Sequence, residues 1–242
     1  MADSIIVGMG EVGQALFQVL DKRYDVDIWD SKWDGEHLEE HPIPTGPYLH
    51  LHVAFPYSDQ FVSQVRQYQA QFQPRYTLIH STVPIGTCSQ IGSPPCYHVP
   101  VIGKHPDLAC SLTTFQTYVA PHNRHVAWYL ERAGFRVAAN VIPSSEHTEA
   151  AKLWDLASYA WSIELEKQMQ QFCQQHNLDF DFVYREWTST YNNGYRDLGL
   201  PQYQRPVLAH IDGPIGGHCV IPGCEMLESA GGGFVPKTVL HF

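Results

Sequence analysis

Residues 213–227, GPIGGHCVIPGCEML, place a thiol at Cys219 directly after a glycine-rich turn. Gly216 and Gly217 can adopt backbone angles closed to other residues, so the chain can bend sharply and let a substrate approach the main chain beside His218. A short helix beginning after Pro222 would turn its free amides toward Cys219 and favour a thiolate there. The plainer reading is a small hydrophobe packed beside a structural turn. Chemistry at Cys219 gains weight only from a second signal elsewhere.

That signal lies near the N-terminus. Residues 4–30, SIIVGMGEVGQALFQVLDKRYDVDIWD, read as an apolar strand, a Gly8-x-Gly10-x-x-Gly13 turn, an amphipathic helix and a second apolar strand ending at Asp30. Gly8 allows the tight turn, Gly10 lets the backbone approach a pyrophosphate, and Gly13 permits close helix-to-strand packing. The helix start, with Glu11 and Val12 in its first turn, supplies amides and positive potential for a phosphate. Asp30 would accept hydrogen bonds from a ribose diol and repel a 2′-phosphate. Lys32 offsets that repulsion only in part, so the expected cofactor is NAD rather than NADP. The alternative is a domain of this fold that has lost its ligand.

Positioning these groups requires a parallel sheet. Strand 48–55, helix 59–72 and strand 76–83 continue the alternation of strand and helix. Pro56 and Pro84 each close a strand at the edge where such sheets bind ligands, and Ser81 and Thr82 lie just before Pro84. A Pro/Gly-rich connection over 85–106 follows, with Lys104 and His105 able to meet an anion or simply to lie in a solvated loop. Strand 117–120, helix 122–133 and strand 135–139 complete the first domain. His50 and His52 share one strand face, but no third ligand is identifiable, so no metal site is expected.

Residues 145–175 lack proline and glycine and carry helical periodicity, which predicts one helix of about 45 Å, long enough to carry a dimer interface. Glu149 and Lys152 lie one turn apart on it and read as a surface ion pair. A second helical stretch, 181–190, and a loop lead to the Cys219 turn. The expected organisation is therefore α/β: a Rossmann-like parallel sheet domain over 1–143, followed by a mainly α-helical domain over 144–242 with a long central helix.

Composition excludes several classes. Fifteen Lys and Arg against 25 Asp and Glu give a formal net charge of -10, which argues against nucleic-acid and anionic-membrane surfaces. There is neither an apolar run long enough for a span nor a leader pattern, so a cytoplasmic location is expected. The six cysteines show no paired CxxC spacing and read as reduced thiols.

Three separated segments, VGMGEVG at 7–13, HSTVPIGT at 80–87 and GPIGGHC at 213–219, together resemble the UDP-glucose/UDP-N-acetylmannosamine/GDP-mannose dehydrogenase family. The resemblance implies a homodimer and NAD-dependent oxidation of a sugar or sugar-nucleotide alcohol to the carboxylate. It also implies that Cys219 traps the aldehyde as a thiohemiacetal that is oxidised to a thioester. Lys152 aligns with the family's helix lysine, which stabilises the developing oxyanion, and Thr82 with its threonine near the reacting water. Gly216, Gly217 and His218 would line the substrate.

The chain also departs from the family. Leu156 stands where the family keeps an asparagine and Gly223 where it keeps an aspartate, with Glu225 or His218 as candidate replacements for the lost carboxylate. The family's glutamate after the STVP strand has no counterpart in HVPVIG at 98–103. About twenty residues follow Cys219, where the family continues into a nucleotide-sugar domain. Two other readings stay open: a two-electron NAD(P)-dependent dehydrogenase or reductase without covalent catalysis, and a nucleotide-binding regulatory or assembly protein whose catalytic set has decayed.

Overall fold

A computed structural model describes residues 2–33, 44–103, 107–216 and 219–241. The chain divides into two compact units, Met1–Lys152 and Leu153–Phe242. The first holds β1 (Ser4–Val7), α1 (Glu11–Leu20), β2 (Val26–Trp29), β3 (His50–Val53), α2 (Phe61–Phe72), β4 (Tyr76–Ile79), α3 (Thr87–Ile91), β5 (Cys96–His98), α4 (Leu108–Thr114), β6 (Gln116–Thr117), α5 (Arg124–Arg132) and β7 (Arg136–Val137).

Strands β1 to β5 form one parallel sheet in the order β2-β1-β3-β4-β5. Its strands read as short apolar runs because both faces are covered. Leu16, Leu20, Leu78, Val126 and Leu130 pack on one side, and Leu51, Val53, Phe61, Phe72 and Ile79 on the other. Each such side chain taken from water contributes about 1.5–3 kcal/mol. The helices are stopped and started locally: Asn123 Oδ1 accepts the His125 and Val126 amides to cap α5, and Gln73 ends α2 in the left-handed region.

Two expectations change. Part of the 85–106 connection is structured, since α3 and β5 lie within it and β5 is the sheet's edge strand. In the segments around 117 and 136, β6 and β7 pair with each other in a separate two-stranded sheet, and the first of them touches the main sheet through an antiparallel bridge between Ala120 and His98 of β5.

Helix α6 (Ser145–Gln175) begins in the first unit and continues through the second. The second unit adds a π-helical turn (Asp181–Glu186) running into α7 (Trp187–Asp197), then α8 (Val220–Ser229) and α9 (Phe234–His241). Its core joins Leu153, Leu156, Ala157 and Ala160 of α6 to Val220, Cys224, Leu227 and Val239. Among the described residues no helix is long and apolar enough to cross a membrane.

Candidate cofactor and catalytic site

Sterics explain two of the three glycines in the turn between β1 and α1. Gly8 has φ +94°, and a β-carbon there would meet the Phe55 backbone nitrogen at 2.8 Å. A β-carbon on Gly13 would stand 1.9 Å from the Gly8 carbonyl oxygen. Gly10, by contrast, is exposed and would meet nothing within 4 Å, leaving open space beside the start of α1. A cradle of this shape fits a pyrophosphate. Glu11 is exposed and Val12 half-buried in the helix's first turn.

Asp30 does more than its position after β2 suggested. Its Oδ2 accepts the Met9 amide at 2.7 Å and its Oδ1 the Lys32 amide at 3.0 Å, so the carboxylate ties the strand end to the glycine turn. An ionised carboxylate offers about four acceptor positions, and two remain for a diol.

At the end of β4, the Ser81 hydroxyl donates to the Phe55 carbonyl at 2.6 Å and joins the ends of β3 and β4. Thr82 follows, half-buried, and Pro56 is exposed at the β3 end. His98 places Nε2 3.3 Å from the Ser81 carbonyl and Nδ1 2.8 Å from the Thr148 hydroxyl. Burial drives His98 down to about 3, with the Ser81 carbonyl opposing and the charge of Lys152 adding a smaller push. Through His98, Thr148 in the first turn of α6 is thus linked to the strand end that carries Ser81 and Thr82.

Glu149 is not a surface group. It is fully buried, its Oε2 accepting the Gly86 amide at 2.6 Å and its Oε1 the Cys88 amide at 3.0 Å. No ion pair links it to Lys152 among the described residues. These amides open α3, whose N-terminal donors suit a carboxylate. Burial and the carboxylate also help to raise the Cys88 thiol, though its contact with the Cys96 thiol raises it most.

In the second unit Cys219 is exposed and caps α8, which starts at Val220, earlier than the expected start after Pro222. Its carbonyl accepts the Gly223 amide at 2.9 Å. Pro222 has no N–H, so the amides that open α8 are those of Val220 and Ile221. Among the described glycines of this turn, Gly213 is left-handed, φ +91°, and Gly216 does not adopt a positive φ. Gly217 and His218 lie outside the described residues, as do Lys104 and His105.

The two departures from the family pattern meet each other. A β-carbon on Gly223 would come within 2.8 Å of Leu156 Cδ1, so the leucine occupies the space a side chain at 223 would need. Leu156 and Gly223 are both buried. Glu225 instead lines an open cleft of about 690 Å³ with Glu164, Lys167 and Glu228.

His50 and His52 do share a strand face, but their ring nitrogens are engaged by Ser4, His125, His80 and Tyr129. Among the described residues no group of three or more His, Cys, Asp or Glu is placed to hold a metal ion.

A five-stranded parallel sheet with this glycine turn, followed by a long helix, defines a Rossmann-like α/β fold. The sequence matches no protein-family model and no curated protein. Solved structures match across nearly the whole chain. The UDP-N-acetylmannosamine dehydrogenase of Pyrococcus horikoshii superposes with a TM-score of 0.74 at 13% identity, covering 98% of this chain and 67% of its own. The 3-hydroxyisobutyrate dehydrogenase of Mycobacterium tuberculosis, determined with L-serine, gives 0.67 at 12% identity, covering 99% and 92%. Psf3 in complex with NADP+ gives 0.61 at 12% identity, covering 98% and 91%.

Proposed function

We propose that the chain is an NAD-dependent dehydrogenase that oxidises an alcohol carbon of a sugar or sugar nucleotide. The observation that carries this reading is the glycine turn, with Gly8 and Gly13 sterically obligatory, Gly10 open and Asp30 clasping Met9. NAD, when bound, accepts hydride from the carbinol carbon. The turn amides and the start of α1 take the pyrophosphate, and the remaining acceptor positions of Asp30 take the ribose diol and disfavour a 2′-phosphate. Ser81, Thr82 and the Pro56 strand end border the cofactor. Lys152 stabilises negative charge on the substrate oxygen as its proton leaves.

Cys219 then adds to the aldehyde carbon while its thiol proton passes to the carbonyl oxygen, giving a thiohemiacetal. The hydride on that carbon passes to a second NAD+ held in the same turn while the hydroxyl proton leaves to solvent, giving a thioester that water cleaves to a carboxylate and the free thiol. Gly216, Gly217 and His218 line the substrate. The experiment is NADH release across sugar nucleotides, free sugars and polyols, repeated with Cys219→Ala and Cys219→Ser. Covalent catalysis requires both variants to lose the second oxidation; unchanged turnover in both would sink it.

The contact between Leu156 and Gly223 favours a second reading, a two-electron dehydrogenase or reductase in which Cys219 forms no thioester. That contact puts apolar surface where water activation needs polar groups. Under either reading the chain pairs as a homodimer along α6, whose exposed Trp154, Leu165 and Phe172 line up at three- and two-turn spacings. A monomer mass at every concentration would overturn this. Six free cysteines fit a reducing compartment such as the cytoplasm.

A further inference from the structure

Six side chains form an unbroken hydrogen-bonded line through the parallel sheet of the first unit. His125 Nε2 lies 3.1 Å from His50 Nε2, His50 Nδ1 3.4 Å from Ser4 Oγ, and Ser4 Oγ 2.8 Å from the Tyr129 hydroxyl. The Tyr129 hydroxyl lies 3.0 Å from His52 Nε2, His52 Nδ1 2.9 Å from His80 Nε2, and His80 Nδ1 2.9 Å from the Val99 carbonyl oxygen. Every member except His125 is at most 3% exposed. A core that needed only packing would take leucine or valine here and avoid desolvating polar groups. This line instead contains only groups that can both give and take a proton.

Its polarity follows from one end. The Val99 carbonyl can only accept, so His80 carries its hydrogen on Nδ1 and accepts at Nε2. His52 therefore donates from Nδ1 and accepts from the Tyr129 hydroxyl at Nε2. Tyr129 in turn accepts from Ser4, Ser4 from His50 Nδ1, and His50 Nε2 from His125. Every bond is satisfied with every group neutral. Burial agrees, holding His50 down at about 3 and His80 at about 4.

The line also has a direction in the fold. Ser4, His50 and Tyr76 stand in register at the starts of β1, β3 and β4, with the half-buried His125 stacked on His50 and Tyr76. His80 follows the last residue of β4 and immediately precedes Ser81 and Thr82. Beside His80 and Val99 lies a void of about 10 Å³, room for one water molecule.

We propose that this line is a proton relay joining solvent at His125 to the C-terminal edge of the sheet. A proton arriving at His125 Nδ1 lets the Nε2–H bond break as a new N–H bond forms on His50. The same exchange then passes through Ser4, Tyr129 and His52 to His80, whose Nδ1 proton leaves to a water in the adjoining void. Each hop breaks one N–H or O–H bond, forms one, moves a single positive charge and transfers no electrons; the reverse hops carry a proton outward. Use of the relay by a proton-coupled hydride transfer rests on the dehydrogenase reading, whereas the relay itself can be read without turnover.

The test is hydrogen exchange by NMR on protein with 15N-labelled imidazoles. The Nδ1–H groups of His52 and His80 should exchange at least about 100-fold faster than the amides of Leu51, Val53, Leu78 and Ile79 around them. Amides in such strands exchange only when the structure opens. His125→Gln keeps a donor for His50 but cannot relay, and Ser4→Ala cuts the line midway. Each should slow the imidazole exchange to the amide rate while strand amides stay unchanged. His125→Gln, at the surface, decides the matter if Ser4→Ala does not fold. Equal imidazole and amide rates in the unaltered protein, or imidazole rates insensitive to His125→Gln, would overturn the relay. Neither result depends on NAD turnover, so the two readings can fail separately.

Discussion

Glu149 on α6 accepts the Gly86 amide at 2.6 Å in a position with no solvent exposure, and its second oxygen accepts the Cys88 amide. A buried carboxylate persists where donors replace the water it has lost. The donors here belong to the turn after β4, so the start of the long helix is fastened to the segment that carries Thr82.

Glu149→Ala leaves the buried Cys88 amide and the half-buried Gly86 amide without an acceptor. It should cost about 2–4 kcal/mol, read as a lower urea midpoint for the first unit. Lys152→Ala, at a half-buried position, should cost less than about 1 kcal/mol while reducing any dehydrogenase activity. Equal midpoints for Glu149→Ala and the unaltered protein would remove this anchor from the account.

The glycine turn separates folding from binding. Gly13→Ala forces a carbon into the Gly8 carbonyl and should displace the turn, lowering the melting temperature and abolishing NAD binding. Gly10→Ala meets nothing in the protein and should melt normally, yet weaken NAD about tenfold or more in calorimetry by filling the space a pyrophosphate requires. Tight NAD binding by Gly10→Ala would place the cofactor elsewhere.

Much of this architecture is legible in the sequence because it is local. Gly8, Gly10, Gly13 and Asp30 declare themselves by type and spacing, and α6 by 31 residues without proline or glycine. Strand β5 is hidden, being three residues long and preceded by Pro94 and Pro95. The role of Glu149 is hidden for another reason: Lys152 is its evident neighbour in sequence, while its partners lie some sixty residues away. His50 and His52 announce a shared face, but Ser4, His80 and Tyr129, which explain that face, come from three other segments. Leu156 and Gly223 are each visible as departures from the family pattern; their mutual contact is a tertiary fact.

That contact should appear as coupling. Gly223→Ala should destabilise the second unit by about 1–3 kcal/mol through overpacking. Much of the loss should disappear in Leu156→Ala/Gly223→Ala, giving a double-mutant interaction of about 1 kcal/mol or more by chemical denaturation. Strict additivity would show that the two positions do not share space.

Acid should unfold the first unit. His50, His52, His80 and His98 are all depressed by burial, to about 3, well below the usual value, to about 4 and to about 3 respectively. The unfolded chain, titrating near 6.5, therefore binds more protons than the native one as pH falls below that value. Stability is complete above pH 6.5 and is lost by about 1.4 kcal/mol per histidine for each pH unit below it. Four such groups together cost about 6 kcal/mol at pH 5.5, comparable with the stability of a small domain. The melting temperature should fall steeply between pH 6.5 and 5; a flat profile would mean that these histidines are not buried and neutral.

The most direct test of the central claim is absorbance at 340 nm when the 242-residue chain is mixed with NAD+ and a panel of sugar nucleotides, sugars and polyols. The account expects NADH with at least one panel member, two per substrate consumed when Cys219 is intact and one or none in Cys219→Ala. NAD+ binding without NADH from any panel member would contradict it and favour a nucleotide-binding protein with no dehydrogenase activity.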